Sequence, residues 1–280
     1  MDLDTVGFIG GGNMTRAIAG GLLDDGYAAA KLSISEPVEA QRASLQESLP
    51  GVFVSAENSA VVVKSACVVL SVKPQIIAAV CRDLAAAVQT SKPLVISIAA
   101  GPRIDDIDNW LGGNNAVVRV MPNQPALLGK GVSGIFGNRA TSRDQLRAAT
   151  SILSAVGPVV AVSSEAHIDA VTAVSGSGPA YFYLLIDMLA KTGVELGLDE
   201  DDALKLAAET ASGASTLARN SGESMDELIA RVRSPGGTTA AALDSLENQG
   251  VRDIFNTALT AARDRAIELA DQAHESGKDK

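Results

Sequence analysis

Residues Val6 to Ile18 read VGFIGGGNMTRAI, and this stretch decides the fold. An apolar run of Val6, Phe8 and Ile9 stops at Gly10-Gly11-Gly12, and a helix-compatible segment from Asn13 to Leu23 follows at once. Strand, glycine turn and helix in that order form the unit that binds the pyrophosphate of a dinucleotide. Gly10 permits the tight turn, and Gly12, lacking a Cβ, lets the backbone approach the phosphates. The helix opening at Asn13 and Met14 then offers free N–H groups and a partial positive charge to the anion. Ser35 and Glu36 close the next strand-like run, about 20 residues on, where an acidic side chain takes the ribose hydroxyls.

Outward from this stretch, short β-rich runs alternate with helical spacing as far as residue 164. The runs are Val6–Ile9, Leu32–Ser35, Val52–Val54, Cys67–Ser71, Leu94–Ile98, Val117–Met121, Ser133–Phe136 and Val159–Val162. Strands separated by helical crossovers predict a mainly parallel, doubly wound α/β sheet of Rossmann type over residues 1–164. The continuous apolar runs CVVLSV and LVISIA suit strands buried on both faces. Ligands of such sheets bind outside the carboxyl ends of the strands. That rule points to Gly10–Asn13, Ser35–Glu36, the Ser71-Val72-Lys73-Pro74 segment, Ala99-Ala100-Gly101 and Met121–Asn123.

Beyond residue 165 the strand signals stop, and residues 165–280 read as an all-α domain. Helices are predicted over His167–Val174, Ala180–Leu196, Asp202–Asn220, Met225–Val232, Thr239–Asn248 and Val251–Ala273, with a disordered tail from His274. Ser224 and Glu227 form a capping box, and Asp199 precedes an acidic first turn. The region is rich in alanine and carries many apolar positions, which a second copy of the chain would bury.

Composition excludes several function classes. The formal net charge of −10 disfavours nucleic acid and anionic membrane as partners. No run of about 18 uncharged apolar residues occurs. The N-terminus lacks a basic leader segment, so a soluble cytoplasmic protein is expected. Cys67 and Cys81 read as buried thiols, and with two histidines, His167 and His274, no metal site is expected. There is no nucleophile elbow and no cysteine–histidine pair, so a bound cofactor must carry the difficult step.

Two loops of the helical half look chemical. Ser175-Gly176-Ser177-Gly178-Pro179 and Ser234-Pro235-Gly236-Gly237-Thr238-Thr239 each place flexible backbone and hydroxyls before a helix. Such a terminus binds a small carboxylate through N–H groups, with no need of Arg or Lys. The alternative is a pair of ordinary turns with Ser/Thr caps.

The blocks FIGGGNM (8–14), SVKPQ (71–75), SIAAG (97–101), RVMPNQPALLGKG (119–131), AVTAVSGSGPAYF (170–182) and VRSPGGTTAAAL (232–243) together resemble pyrroline-5-carboxylate reductase, nearly end to end. The resemblance implies an N-terminal domain that binds NADPH or NADH and a helical domain that makes an interlocked homodimer. It allows a further assembly of five dimers into a decamer. It implies hydride transfer to the imine carbon of 1-pyrroline-5-carboxylate, giving L-proline. The substrate carboxylate falls to the SPGGTT backbone around Gly237, Thr238 and Thr239, with Gly236 among the substrate-binding residues; the imine nitrogen falls to Thr239, the catalytic candidate, and Ser175 and Ser234 line the same pocket. The cofactor falls to Gly10, Gly12, Asn13, Met14, Ser35, Glu36, Ser71, Val72, Lys73, Pro74, Ala99, Ala100, Gly101 and Asn123.

Departures from the family pattern carry their own expectations. Thr15 stands where Gly or Ala is usual, and its hydroxyl is placed to contact phosphate. Gln124 replaces the usual Thr beside the nicotinamide end. Glu36 would accept the ribose hydroxyls of NADH and repel the 2′-phosphate of NADPH, unless it points to solvent. Lys73 either lies near the cofactor or is a solvated strand-end lysine, and Asn123 either orients the loop near nicotinamide or only makes its turn. Two rival readings stay in view. A β-hydroxyacid dehydrogenase would need a catalytic Lys where Phe182 stands, and a nucleotide-sensing protein without turnover would not need the second loop.

Overall fold

The protein is described from a computed structural model, which covers residues 4–277. Eight strands form one sheet: β1 (Val6–Ile9), β2 (Leu32–Ser35), β3 (Phe53–Ser55), β4 (Cys67–Leu70), β5 (Leu94–Ser97), β6 (Val117–Met121), β7 (Ser133–Gly137) and β8 (Val159–Ala161). Their order is β3-β2-β1-β4-β5-β6-β7-β8. All neighbours pair in parallel except β6 and β7, which are antiparallel. Each strand lies where the apolar runs predict one.

The chain alternates side chains across the sheet, and both faces are covered. Val6, Phe8, Cys67, Val69, Leu94 and Ile96 pack on one side. That side is closed by α1 (Asn13–Asp24), α2 (Glu39–Ser48) and α6 (Arg143–Ser154), through Ile18, Leu22, Leu45, Ile152 and Leu153. Ile9, Val68, Leu70 and Val95 face the other side. There α3 (Asn58–Lys64), α4 (Pro74–Ser91) and α5 (Ile104–Trp110) supply Val61, Ile77, Leu84 and Ile107. This is why β4 and β5 are apolar at nearly every position while the edge strands β3 and β8 are partly exposed.

The chain reverses its order in the sheet between β1 and β4. The crevice above that point is where an open α/β sheet takes a ligand.

The remaining helices are α7 (Ala166–Val171), a π-helical turn Thr172–Gly176, α8 (Gly178–Glu195), α9 (Glu200–Asn220), α10 (Met225–Val232), α11 (Thr238–Asn248) and α12 (Val251–Ser276). The Ser224–Glu227 capping box forms. By its internal contacts the chain divides into one unit of residues 1–177 with 262–280 and another of 178–261. The division falls later than the composition change near 165, because α7 packs on β6 and β7 within the first unit. In the second unit α8 and α9 pair closely. Their apolar side chains Phe182, Leu184, Leu189, Leu204 and Leu206 are nevertheless exposed.

The expected tail is corrected: α12 continues through His274 to Ser276. The reason is tertiary. His274 Nδ1 meets the Asp106 carboxylate, Arg82 donates to the Gly277 carbonyl, and Arg103 pairs with Asp271 at 2.8 Å. Residues 278–280 lie outside the described part.

Cys67 on β4 and Cys81 on α4 are fully buried. Burial pushes both thiols from an ordinary 9.0 up to about 12, against a small opposing effect of Arg82 on Cys81. Only the thiolate is a useful nucleophile. Neither cysteine should therefore react with iodoacetamide in the folded protein up to pH 9, and both should react once denatured; mass spectrometry of the two samples checks this.

Candidate active site

The glycine turn is built as three different solutions at three consecutive positions. Gly10 sits at φ +102°, where a side chain would be strained, and a Cβ there would lie 3.0 Å from the Ser71 carbonyl oxygen. At Gly11 a Cβ would strike Leu45 Cδ1 at 2.5 Å. Gly12 has ordinary backbone angles, and a Cβ on it would meet nothing within 4 Å. Gly12 caps α1 with no side-chain hydrogen bond and no acidic residue in the first turn. The first N–H groups of α1 therefore face open space, as an anion site requires.

Thr15 is corrected. Its hydroxyl donates to the Gly10 carbonyl at 2.6 Å and the residue is fully buried, so it braces the turn and does not reach phosphate. Ser35 is corrected on the same ground: it is fully buried and its hydroxyl donates toward the Phe8 carbonyl at 3.4 Å. Its contribution is its carbonyl, which accepts the Gly10 N–H at 2.9 Å.

Glu36 does not point to solvent. Its carboxylate accepts the Gly11 N–H at 3.1 Å through Oε2 and the Val38 N–H at 3.0 Å through Oε1. The negative charge is thereby fixed against the glycine turn. Arg42 lies alongside, but its guanidinium donates to the carbonyls of Glu36 and Pro37, at 3.0 and 2.7 Å, and not to the carboxylate.

At the carboxyl ends of β1, β4, β5 and β6 a cavity of about 430 Å³ opens. Asn13 and Met14, Ser71 and Val72, and Ala100 line it as expected. So do Met121, Pro122, Asn123 and Gln124. The Ser71 hydroxyl is shielded from solvent and has no hydrogen-bond partner, the kind of group a bound ligand completes. An open cradle at Gly12, uncapped N–H groups on α1 and an orphaned hydroxyl at Ser71 fit a dinucleotide.

The other expected cofactor residues also have places in the frame. Lys73 caps α4, and Pro74 is the first residue of that helix. Ala99 is buried in the core, and Gly101 turns at φ +103° beneath the Leu269 carbonyl of α12. Sequence reasoning missed Ile98, Leu127 and Gly176 as cavity residues. Gly176 carried a signal, standing in a Gly/Ser block, but there it read as a flexible loop.

That loop reading is corrected. Thr172–Gly176 is a widened helical turn in which the Ser177 N–H donates five residues back, to the Thr172 carbonyl at 2.8 Å. The Ser175 hydroxyl donates to the Val171 carbonyl at 3.0 Å, which engages its proton and leaves its oxygen as an acceptor. Asn123 joins the two segments. Its Nδ2 donates to the Ser175 carbonyl at 3.1 Å, and its Oδ1 accepts the Val132 N–H at 2.9 Å. It thereby ties its own loop both to the widened turn and to Val132.

In the second unit, α10 ends at Val232 and α11 begins at Thr238, one residue earlier than expected. Gly236 turns at φ +70°, and Gly237 caps α11 with no side-chain hydrogen bond. Ser234 accepts the Gly237 N–H at 3.0 Å through its carbonyl. Among the described residues no group of three His, Cys, Asp or Glu side chains could hold a metal, and no helix is long and apolar enough to cross a membrane.

Residues 165–269 match the family profile described as pyrroline-5-carboxylate reductase dimerisation, and residues 5–101 match that of a coenzyme F420-dependent NADP oxidoreductase. A pyrroline-5-carboxylate reductase of Pseudomonas aeruginosa is 44% identical over 97% of this chain and 99% of its own. The chain belongs to the pyrroline-5-carboxylate reductase family. A relative of that name from Synechocystis is 41% identical, over 94% of this chain and 97% of its own. The family member from Coxiella burnetii superposes with a TM-score of 0.92 at 39% identity, covering 96% of this chain and 99% of that one. The Plasmodium falciparum enzyme, solved with NADP bound, gives 0.82 at 28% identity, covering 95% and 98%. Family membership makes this an NAD(P)H-dependent oxidoreductase that takes a small-molecule substrate and forms oligomers.

Gly10 and Gly12 should separate in experiment. Gly12→Ala should leave the thermal midpoint unchanged and weaken coenzyme binding by roughly tenfold or more, since its Cβ fills only open space at the uncapped terminus. Gly10→Ala should instead lower the midpoint, because its backbone angle is strained for alanine. Nicotinamide fluorescence titration beside a melting curve distinguishes the two.

Proposed function

We propose that this chain reduces 1-pyrroline-5-carboxylate to L-proline, with either NADH or NADPH as the reductant. The observation that carries the reading is the presence in one chain of two helix N-termini whose capping residue is a glycine, that of α1 behind Gly12 and that of α11 behind Gly237. The first suits a pyrophosphate and the second a single carboxylate. Bound reduced nicotinamide supplies the hydride for the imine carbon.

The residues of the chain bind, orient and hold a proton. Gly236, Gly237 and Thr238 present N–H groups to the substrate carboxylate, and Ser234 flanks them. The Thr239 hydroxyl hydrogen-bonds the imine nitrogen and helps deliver its proton. Ser175, on the widened turn, lines the same pocket and keeps its hydroxyl oxygen as an acceptor. Gly10, Gly12, Asn13, Met14, Ser71 and Val72 hold the coenzyme, with Ala100 and Asn123 at its reacting end. Glu36 takes the ribose hydroxyls and biases the site toward NADH, which lacks the 2′-phosphate.

The exposed apolar side chains of α8 and α9 are covered by a second copy, so the working unit is a homodimer, from which a decamer of five dimers is built. Leaving so many large apolar groups in water is unfavourable for an isolated chain. Their place inside the segment that matches the dimerisation profile supports this reading. The proposed setting is the cytoplasm.

Oxidation of NADH and NADPH by the purified protein, followed at the nicotinamide absorbance, should depend on added 1-pyrroline-5-carboxylate and yield proline. No oxidation with protein shown to bind coenzyme would sink the reductase reading. Thr239→Ala should lower kcat by roughly 10- to 100-fold, the size of one lost hydrogen bond at the reacting atom, with coenzyme affinity little changed.

Glu36→Ala should move the ratio of NADPH to NADH dissociation constants by roughly tenfold toward NADPH, the effect of removing one partly screened like-charge contact. An unchanged ratio would show that Glu36 only braces Gly11.

A further inference from the structure

Arg119 is a charge placed in the middle of the sheet. It lies within β6, among Val117, Val118 and Val120, and its side chain is 3% exposed. A buried guanidinium is tolerated only when its donors are satisfied. Here Nη2 donates to Asp169 Oδ1 at 2.9 Å and Nη1 to Glu165 Oε1 at 3.3 Å. Asp169 lies on α7 and Glu165 caps it. Glu165 Oε1 also accepts the Ile104 N–H, the first of α5, at 2.8 Å. One planar fork thus pins both the start and the middle of α7 to a central strand.

The turn that succeeds α7 depends on such a pin. This π-helical turn, Thr172–Gly176, carries an extra residue relative to an α-helix, an arrangement that is rare and needs outside support. Two further contacts hold it against the same strand. Asn123 donates to the Ser175 carbonyl at 3.1 Å, and Met121 packs so close that a Cβ on Gly176 would lie 2.5 Å from its Cε. Arg119, Met121 and Asn123 alternate along β6 and its extension. They grip, in order, α7, Gly176 and Ser175. Relaxation of the turn to α-helix would rotate the residues after it by about 100° and carry Gly176 off the cavity wall.

We propose that Arg119 is a positioning residue of the active site: with Asp169, Glu165 and Asn123 it holds the widened turn in register with β6, and so fixes the wall of the cavity where the imine meets the nicotinamide. It touches neither ligand. The proposal rests on the reductase reading above.

The test compares the full-length wild type with Arg119→Lys and Glu165→Gln. Lysine keeps the charge but cannot serve two carboxylates with one planar fork. Glutamine at 165 keeps an acceptor for Ile104 and loses the attraction to Arg119. Three quantities are read: imine kinetics, NADH affinity by fluorescence, and hydrogen exchange of the segment 165–177 against that of β4 and β5.

Both variants should show kcat/KM for the imine lowered by about tenfold or more, the effect of a small misplacement at the reacting centre, with NADH affinity held within about threefold. Exchange should quicken in 165–177 and not in β4 and β5. Unchanged kinetics and exchange would overturn the proposal, as would an equal loss of NADH binding and turnover with faster exchange throughout the sheet, which marks a merely structural role. Should Arg119→Lys fail to fold, Glu165→Gln decides alone. If the wild type binds NADH but does not reduce the imine, the reductase reading fails, and the confined change in exchange alone decides whether Arg119 positions the turn.

Discussion

The carboxyl edge of the sheet depends on the hydrogen bonding of Gly10. Its N–H reaches sideways to Ser35 at the end of β2, and its carbonyl accepts the hydroxyl of Thr15, in the first turn of α1. The Ser71 carbonyl, beyond the end of β4, leaves no room for a side chain at this position. A single residue in the left-handed region therefore joins two strands and a helix, and sets the direction in which α1 departs. With that direction fixed, the next two residues are free for other duties. Gly11 offers its N–H to Glu36, and Gly12 leaves the terminus of α1 uncapped. Thr15, unusual at its place in the family pattern, belongs to this node. It replaces the close packing a smaller residue would give with a hydrogen bond.

The same edge is held a second time, by charge. Taking a guanidinium out of water costs several kcal/mol, and a buried ion pair is weak evidence of stability. The arrangement of Arg119 makes sense as geometry. β7 runs antiparallel to β6 and the chain then returns through β8, so α7 reaches the sheet after the regular βα alternation has ended. A forked contact from β6 fixes its height, because its two hydrogen bonds have a definite direction that apolar packing lacks.

Much of this was legible in the sequence, for a definite reason. Strand positions are set by runs of apolar residues and by turns rich in glycine, both local properties, and all eight strands lie where the runs predicted them. The carboxyl-edge rule then placed Asn13, Ser71, Ala100 and Asn123 at one cavity. What stayed hidden was the direction of side chains and the effect of distant partners. Ser35 and Thr15 have the composition of ligand-binding residues but spend their hydroxyls on the backbone. The Gly/Ser block at 175–178 reads as a loop from propensity alone, yet contacts with β6 hold its first residues as a widened helix. His274 reads as tail because no local signal records Asp106, 168 residues away. Arg119 left a mark, a charge inside VVRVM, whose meaning required its two carboxylates on another element.

The two glycine-capped helix termini also fit the overall charge of the chain. A net charge of −10 repels coenzyme phosphates and a substrate carboxylate at long range. Compensation by Lys or Arg is not used at either terminus: no basic residue lies among Gly10–Thr15 or Ser234–Thr239. On the reading proposed above, attraction comes from N–H groups already aligned by α1 and α11, whose field falls off within about one turn. Such a site gains little from steering but has little reorganisation to undergo when an anion arrives. On that reading its quality rests on the angles of Gly10 and Gly236 and on the absence of a side chain at Gly12. On the reading proposed above, the backbone at Gly10, Gly12 and Gly236, more than any charged side chain, specifies where anions bind.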